Sequence, residues 1–284
     1  MIRLILFCIL LLPILNTCNE PTETPTKGSV TVYTDESVLP LVIKEKDAFT
    51  SIYNETAVKV IPVKTSEGIE KLLKDDIVMF ISSRNFTSSE QTIINNRRLD
   101  IKTYDFCYGG IAVLTSRQNS LTKISFDDIK DLLTGKSSKL KIYLPSEKTG
   151  IYEFIKGEFL DGKPPAGAVL LDGDKEIKEA LKNQPQSIGL TGFNQVKDTN
   201  SLRIMPVGVL NYLTKQIDYF IPHPAYFING QYPLTREIFI FLNDKHFGVA
   251  SGFTSFLTST EGQKVVLSEN LAPGSVSVKI VSHK

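Results

Sequence analysis

The chain has 284 residues, 42% of them hydrophobic, which is enough for one large domain or two ordinary ones and excludes a disordered chain. Its 32 Lys and Arg stand against 31 Asp and Glu, so no basic field exists for gripping nucleic acid. Three Cys and three His, no two at ligand spacing, leave no motif for a metal centre or a disulfide framework.

The first 17 residues carry one positive charge at Arg3, then an apolar run interrupted by Pro13, then Asn16 and Thr17 before Cys18. That run is too short for the roughly 20 apolar residues of a spanning helix, and it reads as a secretory signal. Residues 18–28 are polar, with Pro21 and Pro25, and Leu15-Asn16-Thr17-Cys18 resembles a lipobox. Cys18 is therefore the expected lipidation site and the residues after it a flexible tether. Loss of the signal removes Arg3 and no acid, which leaves bases and acids equal in number. Cys107 is then the remaining thiol beside Cys18, expected as an inert core residue.

From Ser29 onward, β-branched runs alternate with segments of helical period. Ser29–Thr34, Val58–Val63 and Ile77–Ser82 read as strands. A helix between the first two would turn Leu41, Ala48, Phe49 and Ile52 inward, and one between the second and third would bury Ile69, Leu72 and Leu73. This βαβαβ order predicts a parallel sheet. Thr87 and Glu90 form a capping box for a further helix, running to about Arg98. Ile111–Ser116 opens a second series: a helix over residues 125–135, a strand at Lys141–Leu144 and a helix at Thr149–Phe159. Strands follow at Val169–Leu171, Ser187–Gly192 and Ile204–Val209, with a helix at Lys175–Asn183. The chain closes with a strand at Glu237–Asn243, a helix at Val249–Leu257 and a last helix capped within Thr258–Glu261. The expected fold class is α/β in two lobes of similar build.

In open parallel sheets ligands bind beyond the carboxyl ends of the strands, where helix N-termini present free N–H groups. Four strand-to-helix turns are the informative places: Thr34–Ser37, Lys64–Glu67, Ser82–Arg84 and Ser146–Gly150. All carry hydroxyls and three carry a base, a donor set suited to an oxyanion, although each hydroxyl is also an ordinary N-cap. Enzyme motifs fail. Gly135-Lys136-Ser137 has Lys130 where a P-loop needs its first Gly, and Ser146-Glu147-Lys148 is one residue short of Ser-x-x-Lys. His223 stands in a Pro-rich loop with no Gly-x-Ser-x-Gly in the chain.

The stretches TVYTDESVLPL, KTSEGIEKLL, SSRNFTSSEQ, GIAVLTSRQNSLTKISFDDIKDLLTGK, SIGLTGF, YPLTREIFIFLN and GFTSFLTSTEGQKVV span nearly the whole mature chain. In this order they resemble the type II periplasmic solute-binding proteins, and among them the phosphate-binding proteins of ABC importers. The resemblance implies a two-lobed fold, each lobe a parallel-rich sheet flanked by helices, with two crossings near Asp105–Gly110 and Pro222–Gly230. Lobe one would hold residues 29–107 and 226–284, and lobe two residues 108–225. It places Ser37 and Ser66 as first-lobe hydroxyls on the ligand and Arg84 where the best-known phosphate binders have an Asp. The second-lobe motif, an Arg four residues ahead of Ser-Gly-Thr, becomes Leu144 and Lys148-Thr149-Gly150, which makes Lys148 and Thr149 the remaining contacts. Arg84 as an ion-pair partner of Glu67 or Glu36 is the competing role. The implied protein is not an enzyme and takes no cofactor or metal. It is a lipid-anchored monomer outside a bacterial membrane that captures a small anionic solute, phosphate favoured, for an importer permease. A sensory or surface interaction lipoprotein with the same fold is the alternative.

Overall fold

The computed structural model describes residues 23–196, 200–243 and 248–274. The signal, Cys18 and its proposed lipidation, and the first part of the tether lie outside the described residues. Strand β1 (Gly28–Asp35) passes through a 3-10 turn, Glu36–Val38, into α1 (Leu39–Ile52), followed by β2 (Thr56–Val63), α2 (Thr65–Leu73), β3 (Met79–Ser82) and α3 (Ser88–Arg97). The long strand β4 (Ile101–Ser116) leads to β5 (Ile124–Ser125), α4 (Phe126–Thr134), β6 (Lys141–Pro145), α5 (Gly150–Phe159), β7 (Ala168–Leu171), α6 (Asp174–Asn183) and β8 (Ser187–Gly192). Then come β9 (Leu202–Ile204), β10 (Val207–Leu210), β11 (Ile217–Phe220), α7 (Pro224–Ile228), β12 (Thr235–Asn243), α8 (Val249–Leu257), α9 (Thr260–Ser268) and β13 (Ala272–Pro273).

The strand order β2-β1-β3-β12-β4-β8-β6-β7 joins both halves through β4. β1 pairs in parallel with β2 and β3, β12 runs antiparallel between β3 and β4, and β6 pairs in parallel with β7 and β8. The first half of β4 pairs with β12 up to Gly110–Thr235, and Ile111 onward pairs with β8 and β9. Asp105–Gly110, where the first crossing is expected, is thus the middle of a strand, irregular at Phe106, where the register to β12 shifts. Gly110 has no room for a side chain there, since a Cβ would stand 2.4 Å from the Phe227 ring.

Two of the four apolar clusters among the described residues flank this strand. One gathers Val32, Leu41, Phe49, Ile81, Ile240, Phe253 and Phe256. Phe49 meets Phe253 and Phe256 at ring separations of 5.2 and 5.5 Å, pairs worth about 0.5–1.5 kcal/mol each beyond their burial. The other gathers Ile111, Val113, Ile129, Leu144, Ile155, Leu190, Phe227, Tyr232 and Leu234. Phe227, Tyr232 and Leu234, expected in lobe one, pack in this second cluster.

Most elements lie where the sequence puts them, with instructive exceptions. α1 buries Leu41, Val42, Glu45 and Phe49, whereas Ile52, expected inside, is 55% exposed. The single strand expected over Ile204–Val209 is divided into β9 and β10 at Met205-Pro206, since proline brings no ladder donor. The last helix is capped by Ser259, which accepts from the Gly262 N–H. Cys107 is buried in β4, and burial pushes its thiol pKa well up.

Candidate functional site

Because β1, β2 and β3 are parallel, their carboxyl ends share one edge, and three turns of lobe one converge there. At their meeting point is Asp35, the last residue of β1, only 1% exposed. Its Oδ1 accepts the Ser37 backbone N–H at 2.7 Å and the Ser37 hydroxyl. Its Oδ2 accepts the Thr65 hydroxyl, from the first residue of α2, and the Ser83 hydroxyl at 2.9 Å, from the turn after β3. A carboxylate offers about four acceptor positions, so this one is fully engaged by donors from three separate turns.

Lobe two meets this cluster with the N-terminus of α5. Thr149 is the N-cap, accepting the Tyr152 N–H at 3.4 Å and donating to the Ser146 carbonyl at 2.8 Å. Gly150 follows with no room for a side chain: a Cβ would stand 1.7 Å from Ser83 Oγ and 2.5 Å from Asp35 Oδ2. The positive end of the helix therefore packs directly on the carboxylate. The lobes are also tied by Asn194 and Gln195, just after β8, whose side-chain amides donate to the Ser37 carbonyl at 3.1 and 3.0 Å. Lys64 donates across the cleft to Ser146 at 3.2 Å.

Of the residues predicted for the site, Ser37 and Thr149 come together, both buried, beside a cavity of about 90 Å³ that Glu36, Asp174 and Gln195 also line. Ser66 is half-buried at the second position of α2, and the hydroxyl on Asp35 comes from its neighbour Thr65. Lys148 is exposed, in the left-handed region at φ 69°. Arg84 points away from the cluster, holding Glu90 with two nitrogens at 2.8 and 2.9 Å, with Nε 3.9 Å from Glu153 of α5. Its ion-pair partner is thus neither Glu67 nor Glu36. Within Ser82–Arg84 the side chain that faces the cluster is Ser83.

Burial and neighbouring carboxylates raise the Glu36 pKa, and burial pushes Asp174 up to about 6 against the pull of Lys178 and Arg236. Arg236, from β12, is 2% exposed, and its Nε and Nη1 have no hydrogen-bond partner among the described residues. Burial lowers its pKa, while Asp35 and Asp174 act in the opposite sense. Arg236, Asp174, Thr65, Ser83 and Asp35 itself were not singled out from the sequence as site residues. Asp35 had a local signal, the Asp-x-Ser turn in which an Asp side chain receives the N–H two residues on, and Thr65 and Ser83 lie in turns already marked by their hydroxyls.

The family model of the PBP superfamily domain matches residues 19–261. The chain belongs to the PBP superfamily, as a type II periplasmic binding protein. It is 21% identical over 253 residues to the phosphate-binding protein PstS of Staphylococcus epidermidis, covering 84% of this chain and 76% of that one. Its fold is similar to a crystal structure described as a phosphate ABC transporter substrate-binding protein with bound phosphate, from Clostridium perfringens. That likeness has a TM-score of 0.73 and 21% identity, covering 87% of this chain and 99% of the other. An ABC-type phosphate transport receptor from Vibrio cholerae gives a TM-score of 0.68 at 17% identity, covering 87% and 100%.

Within this PBP superfamily fold, Thr149 is the N-cap of α5 and Gly150 its first residue. Pro145, at the end of β6, lines the cavity without charge. A buried guanidinium whose pKa Asp35 acts to raise comes from β12, at Arg236.

Proposed function

We propose that this chain captures a small oxyanion between its lobes, phosphate first among candidates, and delivers it to the permease of an ABC importer as a monomer that performs no catalysis. It would work outside the cytoplasmic membrane, tethered through lipidated Cys18. The supporting observation is the convergence of three hydroxyls and one backbone N–H on a single point facing the N-terminus of α5. Neutral donors at a helix N-terminus satisfy oxyanion oxygens without bulk counter-charge. The names of the relatives favour phosphate. Isothermal titration of the purified protein with phosphate, sulfate and molybdate tests the reading; absence of binding to all three would overturn it. An acylated Cys18 as the N-terminal residue, seen by mass spectrometry of the membrane fraction, checks the tether.

Arg84 has a different part in this scheme. With its fork engaged by Glu90, Arg84→Ala should lower the melting temperature and leave anion affinity within about threefold, because no charge-assisted bond to the solute is lost. Ser37→Ala should weaken binding by about fivefold, the value of one neutral hydrogen bond of about 1 kcal/mol. A hundredfold loss of affinity in a folded Arg84→Ala protein would return Arg84 to the solute.

A second reading, a sensory or surface interaction lipoprotein that does not deliver a solute, is favoured by one observation: the Asp35 carboxylate already engages the donor set.

A further inference from the structure

We infer that Asp35 is a tethered anion, a carboxylate built into the chain at the point where the donors for a captured oxyanion converge, so that it competes with the solute for them. The inference rests on the oxyanion reading for what it says of the solute, but its core concerns only this chain's own groups.

Asp35 receives donors from the Glu36–Val38 turn, from the start of α2 and from the turn after β3. A side chain that merely capped its own turn would need only the Ser37 N–H. The extra hydroxyls of Thr65 and Ser83 reach it from 30 and 48 residues further along the chain. Opposite them, the first turn of α5 lies so close that a Cβ at Gly150 would collide with both Asp35 and Ser83. Lobe two holds the same turn from behind, through Asn194 and Gln195 on the Ser37 carbonyl. The buried Arg236 guanidinium, with Nε and Nη1 unpartnered among the described residues, adds positive potential at Asp35. Hydroxyls, helix N-terminus and guanidinium together form an anion hole, and the carboxylate fills it. An arriving oxyanion must displace Asp35 or accept a reduced donor set. The donor groups of the hole suit any compact oxyanion, planar or tetrahedral, so the emptied hole should accept formate and acetate as well as phosphate and sulfate.

The test is removal of the carboxylate followed by its return in free form. Thermal melting of the full mature chain and of Asp35→Ala is compared in chloride, formate, acetate, sulfate and phosphate at equal ionic strength, together with titration by inorganic phosphate. Asp35→Ala should melt several degrees lower in chloride and recover in formate or acetate, while the wild-type protein gains little from either. Phosphate should bind Asp35→Ala about tenfold more tightly than wild type, since the competitor is gone. Adding Ser83→Ala should diminish the recovery. Asp35→Asn, which keeps the shape and loses the charge, supplies the phosphate-affinity comparison if the alanine variant does not fold. Equal melting of the variant in chloride and formate, or weaker phosphate binding by both variants than by wild type, overturns the inference. Recovery by formate with no phosphate, sulfate or molybdate binding by any form would sustain the tethered anion and sink the oxyanion importer reading. Tight wild-type binding lost in both Asp35 variants would do the reverse.

Discussion

Arg236→Met should lower the melting temperature by roughly 10 °C, because removing one partner of a buried charge group costs about 3–5 kcal/mol. The guanidinium lies 2% exposed between influences from Asp35 and Asp174. Without it Asp174 loses one of the two charges that hold its pKa down, the other being Lys178. The pH dependence makes the effect specific. In the wild-type protein Asp174 titrates near 6 when folded, above its ordinary 3.8, so its contribution to stability is fully present at low pH and is lost as pH rises through about 6. In Arg236→Met that window should move upward, and urea melts from pH 4 to 8 should show stability still falling above pH 6. A double variant, Arg236→Met with Asp174→Asn, should regain part of the loss, as one uncompensated charge is gone. A shift of under 2 °C for Arg236→Met, unchanged with pH, would mean that the guanidinium contributes nothing to this group.

Glu45→Met should stabilise the protein, and more so as pH rises. Glu45 lies on the inward face of α1 with zero exposure, and neither oxygen has a hydrogen-bond partner among the described residues. Burial pushes its pKa from 4.5 up to about 9, so at neutral pH the folded chain holds it as the uncharged acid. The folded pKa exceeds the unfolded one. The associated stability is therefore full below about 4.5 and falls by about 1.4 kcal/mol per pH unit until about 9. Methionine has similar length and no proton to lose, so the gain should be roughly 3 kcal/mol at pH 7 and near zero at pH 4. Glu45→Gln should gain less, since its amide donors would be buried without partners. Melting curves of the three proteins at pH 4, 7 and 9 check the order; parallel curves would place Glu45 in contact with water.

Local patterns in the chain were sufficient for most elements and for the fold class. Ser125 with Gly135, and Thr87 with Glu90, mark helix ends because caps satisfy backbone groups within a few residues, a requirement visible over short spans. The alternation of strands and helices fixed the parallel carboxyl ends at one edge, and so the turns where the site lies. What the chain order left open were matters of one residue. Thr65 or Ser66 and Ser83 or Arg84 are neighbours whose side chains point in different directions, and only the packed register of each turn chooses between them. Glu45 sits at a helical position that polarity alone would turn outward, yet the packing of α1 against Phe253 and Phe256 at the Phe49 end buries its face. Arg236 lies about 200 residues from Asp35, on a strand inserted antiparallel between β3 and β4, and no sequence spacing relates the two. The sequence by itself determined most of the elements, the two-lobed class and the hydroxyl-bearing turns, because these follow from periodicity and capping. Tertiary structure alone decided that the donors converge on Asp35 and that Arg236 backs it, because long-range strand pairing and desolvation are properties of the folded whole.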